Sequence, residues 1–214
     1  MTSYTLTTNA SANEPDFIED GGIRWNNEPL AEFNGSDPYC FEGSSDLIDL
    51  LKTQAFTLYL AVDFDATSAG KYLLDCRPSG GTQYFIVNVE TADATTFSLK
   101  ATAKGSSGLI HCISPTITHS GALPYRTYIC VRCDGTKLGI IVNDRATGET
   151  EDASFWTSAG SQALIAPCVI GARYSRENMW DGNFAGMWIA EKYHDNDTVD
   201  DFLLYLKGRY GTPN

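Results

Sequence analysis

The sequence predicts an all-β fold, an antiparallel β-sandwich with a short C-terminal helix, on three observations. Phe56 to Phe64 places Phe56, Leu58, Leu60, Val62 and Phe64 in strict alternation with Thr57, Tyr59, Ala61 and Asp63, the period of a strand with one face in a core. Eight comparable runs follow it, separated by clusters such as ATSAG, RPSGG, ETADA, AKGSSG and RENMWDG, with no helical pattern between them. The composition agrees: 214 residues, 43% hydrophobic and 12% aromatic, supply one large domain with a filled core, and 19 glycines suit many turns.

In chain order, residues 1–21 are polar and read as an N-terminal arm, loose or docked on a neighbour, with 22–214 as the sandwich domain. Ser45 to Leu51, SDLIDLL, reads as a single helical turn. After Phe56 to Phe64 the expected strands are Lys71 to Cys76, Gln83 to Val89, Thr96 to Ala101, Leu109 to Ile113, Tyr125 to Cys133, Leu138 to Asn143, Pro167 to Arg173 and Asn183 to Ala190. Asp134-Gly135 forms the tight turn of a hairpin between two of them. The helix comes last. Asp197 or Asn196 caps it, Asp200 and Asp201 fall in its first turn, and Lys207 and Arg209 lie near its end, in the sense the macrodipole favours. Val199, Phe202, Leu203, Leu206 and Tyr210 share one face, Gly208 or Gly211 ends the helix, and it packs on the sandwich as a strap.

Fifteen Lys and Arg against 27 Asp and Glu give a net charge of −12, which argues against nucleic acid as a partner because phosphate binding needs a basic surface. The start, MTSYTLTTNASANEP, lacks the basic and apolar regions of a signal peptide, and no apolar run reaches the roughly 20 residues of a membrane span. Synthesis in a cytosol is therefore expected, with no membrane partner. The cysteines, Cys40, Cys76, Cys112, Cys130, Cys133 and Cys168, are then expected as reduced thiols. Cys130 and Cys133 have the spacing of a redox or zinc pair but lie in a strand. Three steps of roughly 3.3 Å put them about 10 Å apart on opposite faces, beyond the roughly 7 Å a disulfide spans.

Catalytic chemistry is sought and not found. Glu14 to Glu19, EPDFIE, fits the E-x-D-x-x-E pattern of some sandwich glycanases, but its second residue is Pro15 and it lies in the arm. His111, His119 and His194 have no metal or triad spacing. Asp37, Asp63, Asp65 and Asp181 lie near turns that suit calcium, the one cofactor considered, yet no dense acidic run fixes a site, and solvated carboxylates are the expectation. No metal or catalytic residue is assigned. Of the tryptophans, Trp25, Trp156, Trp180 and Trp188, the last falls in an apolar strand and reads as core, while Trp156 and Trp180 sit beside turns.

Several phrases resemble the laminin-G-like, concanavalin-A-like lectin/glucanase superfamily. They are LAEFNGSDPYCF at Leu30 to Phe41, the alternating FTLYLAVDF, YRTYICVRCDGTKLGIIVN at Tyr125 to Asn143, and the closing run from Ile170 through IGAR and WDG to RYG at Gly211. The resemblance covers roughly residues 22 to 211 and implies a concanavalin-A-like jelly-roll sandwich. It also implies that Trp180 packs inward, and Asp144 departs from the glycine usual after the hairpin. The superfamily includes lectins, glycanases, adhesion modules and structural virion proteins, so function does not follow from fold.

An extracellular type of sandwich made in a cytosol points to a particle released by lysis. The expected function is a non-enzymatic virion surface protein of a tailed phage, a capsid decoration or tail fibre assembled in the host cytoplasm. Its partners are capsid or fibre proteins, host-surface polysaccharide, and a homotrimer of itself. Trp156 and Tyr174 are the residues expected to meet glycan. The alternatives are a free carbohydrate-binding lectin-like module and, less favoured, a glycan hydrolase.

Overall fold

The structure, a computed structural model, describes residues 6–7, 16–18, 30–35, 41–43, 55–64, 67–77, 84–104, 109–119, 124–134, 137–152, 168–173, 175 and 177–213. Its first strands are β1 (Leu6–Thr7), β2 (Asp16–Ile18), β3 (Leu30–Asn34), β4 (Phe41–Gly43) and β5 (Phe56–Phe64). Then come β6 (Tyr72–Cys76), β7 (Tyr84–Ala92), β8 (Thr96–Lys104), β9 (Leu109–Ile113) and β10 (Ile117–Thr118). The chain continues through β11 (Tyr125–Cys133), β12 (Leu138–Val142), a four-residue helix α1 (Arg145–Gly148) and β13 (Glu149–Asp152). It closes with β14 (Cys168–Ile170), β15 (Asp181–Ala190) and α2 (Asn196–Tyr210).

These strands form two antiparallel sheets. One has eight strands in the order β1-β4-β14-β6-β7-β8-β10, with β9 also on β8; the other has seven, β13-β12-β11-β5-β15-β3-β2. This is a jelly-roll β-sandwich. Within residues 1–21, β1 pairs with β4 and β2 with β3, one in each sheet. The helical turn expected at Ser45 to Leu51 lies outside the described residues.

Alternation decides which side chains meet between the sheets. Phe56, Leu58, Leu60 and Val62 of β5 and Ile129, Val131 and Cys133 of β11 point inward against Phe85, Val87, Leu99 and Ala101 of the other sheet. The expectation of one buried face on β5 is corrected, because its second face is buried too. Tyr59 and Ala61, with Tyr128 and Cys130 of β11, lie beneath Val199, Leu203, Leu206 and Tyr210 of α2. Each of those helix side chains contributes roughly 1.5–3 kcal/mol by leaving water, which holds the strap in place. Thr57 and Asp63 are buried on that same face. Thr57 Oγ1 donates to Lys192 O at 2.8 Å and accepts from His194 N at 2.9 Å, so its hydroxyl is satisfied by the segment leading into the helix.

The helix cap is also corrected. Asp195, with extended backbone, caps α2 through Oδ1, which accepts from Thr198 N at 2.9 Å; Asn196 and Asp197 lie inside the helix. The start one residue earlier carries Asp200 past the first turn, where it pairs with Arg145. Gly211 ends the helix, its N–H bonding Lys207 O at 2.9 Å.

The hairpin at Asp134 matches expectation, with Cys133 opposite Leu138 and Asp134 Oδ1 accepting from Lys137 N at 2.9 Å. After it Asn143 takes a φ of 65°, and its Oδ1 accepts from Tyr128 N at 2.9 Å, so the left-handed step falls on Asn143 beside Asp144. The strand expected over Pro167 to Arg173 is shorter because Gly171, at φ 88°, turns the chain. A Cβ there would lie 2.2 Å from the Phe33 ring, so Phe33 fills the space that only glycine leaves. Trp180 packs inward as expected, 1% exposed, with its ring 5.0 Å from that of Phe33. Trp188 lies beneath α2, near Phe202 and Tyr210, and not between the sheets.

Cys130 and Cys133 face opposite sides of their sheet and, with Cys112, are buried thiols. The expectation that every cysteine is reduced is corrected at Cys76, which is disulfide-bonded; the residue opposite it across the ladder is Cys168.

Candidate functional site

The hairpin of β11 and β12, the strand β13 and the start of α2 surround an open cleft of about 630 Å³. Its wall begins with Arg132, a charged residue in the apolar run ICVRC. Alternation places Arg132 on the outer face of the sheet with Tyr128 and Cys130, at 3% exposure. A guanidinium buried so deeply needs partners, and it has them on three segments. Nη1 donates to His194 O at 3.2 Å and to Asn196 Oδ1 at 2.9 Å, and Nη2 donates to Glu149 Oε1. Glu149 Oε2 accepts from Arg145 Nη1 at 3.4 Å, and Arg145 grips Asp200 through Nε at 2.8 Å and Nη2 at 2.7 Å. The chain of charges therefore runs from the start of α2, through β11 and β13, back to the second turn of α2.

Tyr193 supplies the aromatic element. The Arg132 guanidinium lies 4.7 Å and the Lys137 ammonium 4.9 Å from its ring centroid, within range of cation–π attraction. Thr150, Asp195, Asn196 and Asp197 complete the lining. Hydrogen bonds from Thr198 hold the Asp195 carboxyl below the ordinary carboxylate range, so it stays ionised as the helix cap. Behind the cleft, Tyr59 Oη lies 2.8 Å from His194 Nδ1; burial lowers the pKa of His194 and raises that of Tyr59. The lining thus offers cations, carboxylates, an amide and one ring. Glu149 is committed to two arginines and Asp195 to a cap, an arrangement suited to holding hydroxyl groups more than to moving protons.

Among the remaining expectations, Trp156, Tyr174, Trp25, Asp37, Asp65, Glu14 and Glu19 lie outside the described residues. Asp63 is corrected from a solvated carboxylate to a buried one at 1% exposure, while Asp181 is exposed at the start of β15. Among the described residues no group of three or more His, Cys, Asp or Glu is placed to hold a metal ion. The histidines do not meet: His111 is exposed, His119 packs on Tyr125, and His194 belongs to the back of the cleft. The sequence reading passed over Arg132, Lys137, Glu149 and Tyr193. A lone arginine inside an apolar strand was the available signal, since such a charge demands a built polar surround.

Searched against protein-family profiles and against curated proteins, the sequence matches none. Solved structures do match in fold. The CBM40 of a Ruminococcus gnavus sialidase, bound to α2,3-sialyllactose, aligns with a TM-score of 0.59 at 12% identity, over 81% of this chain and 95% of that one. Domain 4 of AbnA, an extracellular arabinanase from Geobacillus stearothermophilus in complex with arabinotriose, aligns with a TM-score of 0.58 at 12% identity, over 94% and 87%. Botulinum neurotoxin type C, whose cell entry is described as dependent upon interaction with two ganglioside molecules, aligns with a TM-score of 0.60 at 9% identity over 95% of this chain, which spans 46% of the toxin chain. At these identities the likeness establishes the jelly-roll fold.

Proposed function

We propose that the chain is a non-enzymatic, lectin-like carbohydrate-binding module whose glycan occupies the cleft beside Tyr193. The cleft carries the proposal: a saccharide presents hydroxyl groups that both donate and accept, beside an apolar face. The lining sets carboxylate, amide and ammonium groups around a tyrosine. The fold neighbours support the ligand class, since three of them are described with sialyllactose, arabinotriose and gangliosides. A polysaccharide is the partner proposed. The virion role expected from the superfamily resemblance and the absence of a signal peptide finds no support in these neighbours and is not part of the proposal.

The test is a glycan array covering neutral and acidic oligosaccharides, followed by calorimetry on any hit, using the full chain, Tyr193→Ala and Lys137→Gln. Binding by the full chain that weakens roughly tenfold or more in Tyr193→Ala is the expected result. Binding that Tyr193→Ala leaves unchanged, or no binding to any glycan, overturns the assignment of the cleft.

A further inference from the structure

We infer that the opposite side of the sandwich carries a second binding site, on the outer face of β6, β7 and β8, that takes the carboxylate of an acidic saccharide. Cys76, Phe85, Ala103 and Ile110 lie in register across the eight-stranded sheet and point into the core, so alternate positions on these strands point outward. One outward row is Tyr84, Lys104 and Leu109, which are direct cross-strand partners. Arg77 joins it from the end of β6, its guanidinium 5.1 Å from the Tyr84 ring and 5.8 Å from the Tyr72 ring; the Lys104 ammonium lies 5.7 Å from the Tyr84 ring.

The charges on this face are not equivalent. Asp75, an outward position buried in one row with Ile86 and Thr102, holds Arg77 through contacts of 3.1 Å and 3.4 Å, and Lys100 pairs with Glu90 at 3.5 Å. Lys104 forms no ion pair among the described residues, although the chain carries a net charge of −12. Lys104 therefore stands across the Tyr84 ring from the Asp75-bound Arg77, with Leu109 next to it 54% exposed. A carboxylate on Lys104 and an apolar face on Leu109 are the two features of an acidic pyranose. The saccharide part of this inference rests on the glycan-binding reading above; the location does not.

The experiment is an amide-resonance titration of the full chain with a galacturonic acid trimer, a neutral galactose trimer and inorganic sulfate. It is repeated on Lys104→Gln and Tyr193→Ala. The acidic trimer is expected to shift resonances of Tyr84, Lys104 and Leu109, to bind roughly tenfold more weakly to Lys104→Gln, and to be indifferent to Tyr193→Ala. Shifts confined to the Tyr193 cleft would overturn the second site and leave the cleft standing. Equal response to the neutral trimer, or sulfate binding as tightly as the acidic trimer, would overturn the ligand class. Shifts on this face from a chain whose cleft binds no glycan would support the second site and sink the first.

Discussion

Asp63 accepts two hydrogen bonds from Asn183, one from the backbone N–H at 2.6 Å and one from Nδ2 at 2.9 Å, joining β5 to β15 across 120 residues of sequence. Burial pushes the Asp63 carboxyl up to about 6, against the lowering effect of the Asn183 bonds and of Arg126, and Asp181 adds to the rise. A carboxyl raised in the fold stabilises it fully below the unfolded pKa, and that contribution is lost as pH rises through about 6. Denaturant titrations should therefore show Asp63 favouring the fold by about 2 kcal/mol more at pH 4 than at pH 7. Asp63→Asn should remove that component of the pH profile. A wild-type-minus-mutant difference flat across this window would refute the burial argument.

Glu149→Gln should destabilise the chain by about 3 kcal/mol, because it takes a hydrogen-bonded carboxylate away from the buried Arg132 guanidinium. Arg132→Met with Glu149→Gln should recover part of that loss, since the buried guanidinium is removed together with its partner. A double-mutant cycle in urea measures both, and additive losses would show that the two groups do not act as a pair.

Gly171→Ala should cost about 2–4 kcal/mol, as the φ of 88° and the Phe33 ring both oppose a Cβ. Combining it with Phe33→Leu should relieve the contact but not the backbone strain, leaving an intermediate midpoint of unfolding. A single mutant as stable as the parent would contradict the packing of Phe33 over Gly171.

Under native conditions Cys112, Cys130 and Cys133 should resist a thiol reagent, since all are buried and burial raises the pKa of Cys130. In denaturant without reductant those three should react, while Cys76 should react only after reduction. Reaction of Cys76 before reduction would remove the disulfide.

Asp195→Ala should lower the midpoint of thermal unfolding by removing the Oδ1 acceptor for Thr198 N, whereas Asp197→Ala should not. Equal effects would return the cap to the position that spacing alone suggested.

The strands were legible because their period is local. Phe56 to Phe64, Leu109 to Ile113 and Tyr125 to Cys133 have the observed bounds, each being a run whose alternate side chains enter one core. What the period cannot say is what lies over the second face. Tyr59 and Tyr128 read as outward positions, and only the approach of α2 from the far end of the chain buries them. The cleft was hidden for the same reason. Arg132, Glu149 and Tyr193 come from three separate segments, and no spacing rule links residues that meet only after the sheet and helix have assembled. The cap shifted by one residue because Asp195, Asn196 and Asp197 are all competent, and backbone geometry alone chooses between them.

Strand β15 has a consequence for how the chain is born. It sits between β5 and β3, pairing with both, yet it follows them by more than a hundred residues. While a ribosome is still synthesising the intervening segments, the β3 and β5 edges that β15 will join have no ladder partner, and the face that α2 covers is bare. A nascent chain in that state resembles an open-edged sheet, the form most prone to cross-pairing with its neighbours on a polysome. The yield of this protein should accordingly respond to translation speed and to chaperones that shield strand edges, even where the finished fold is stable.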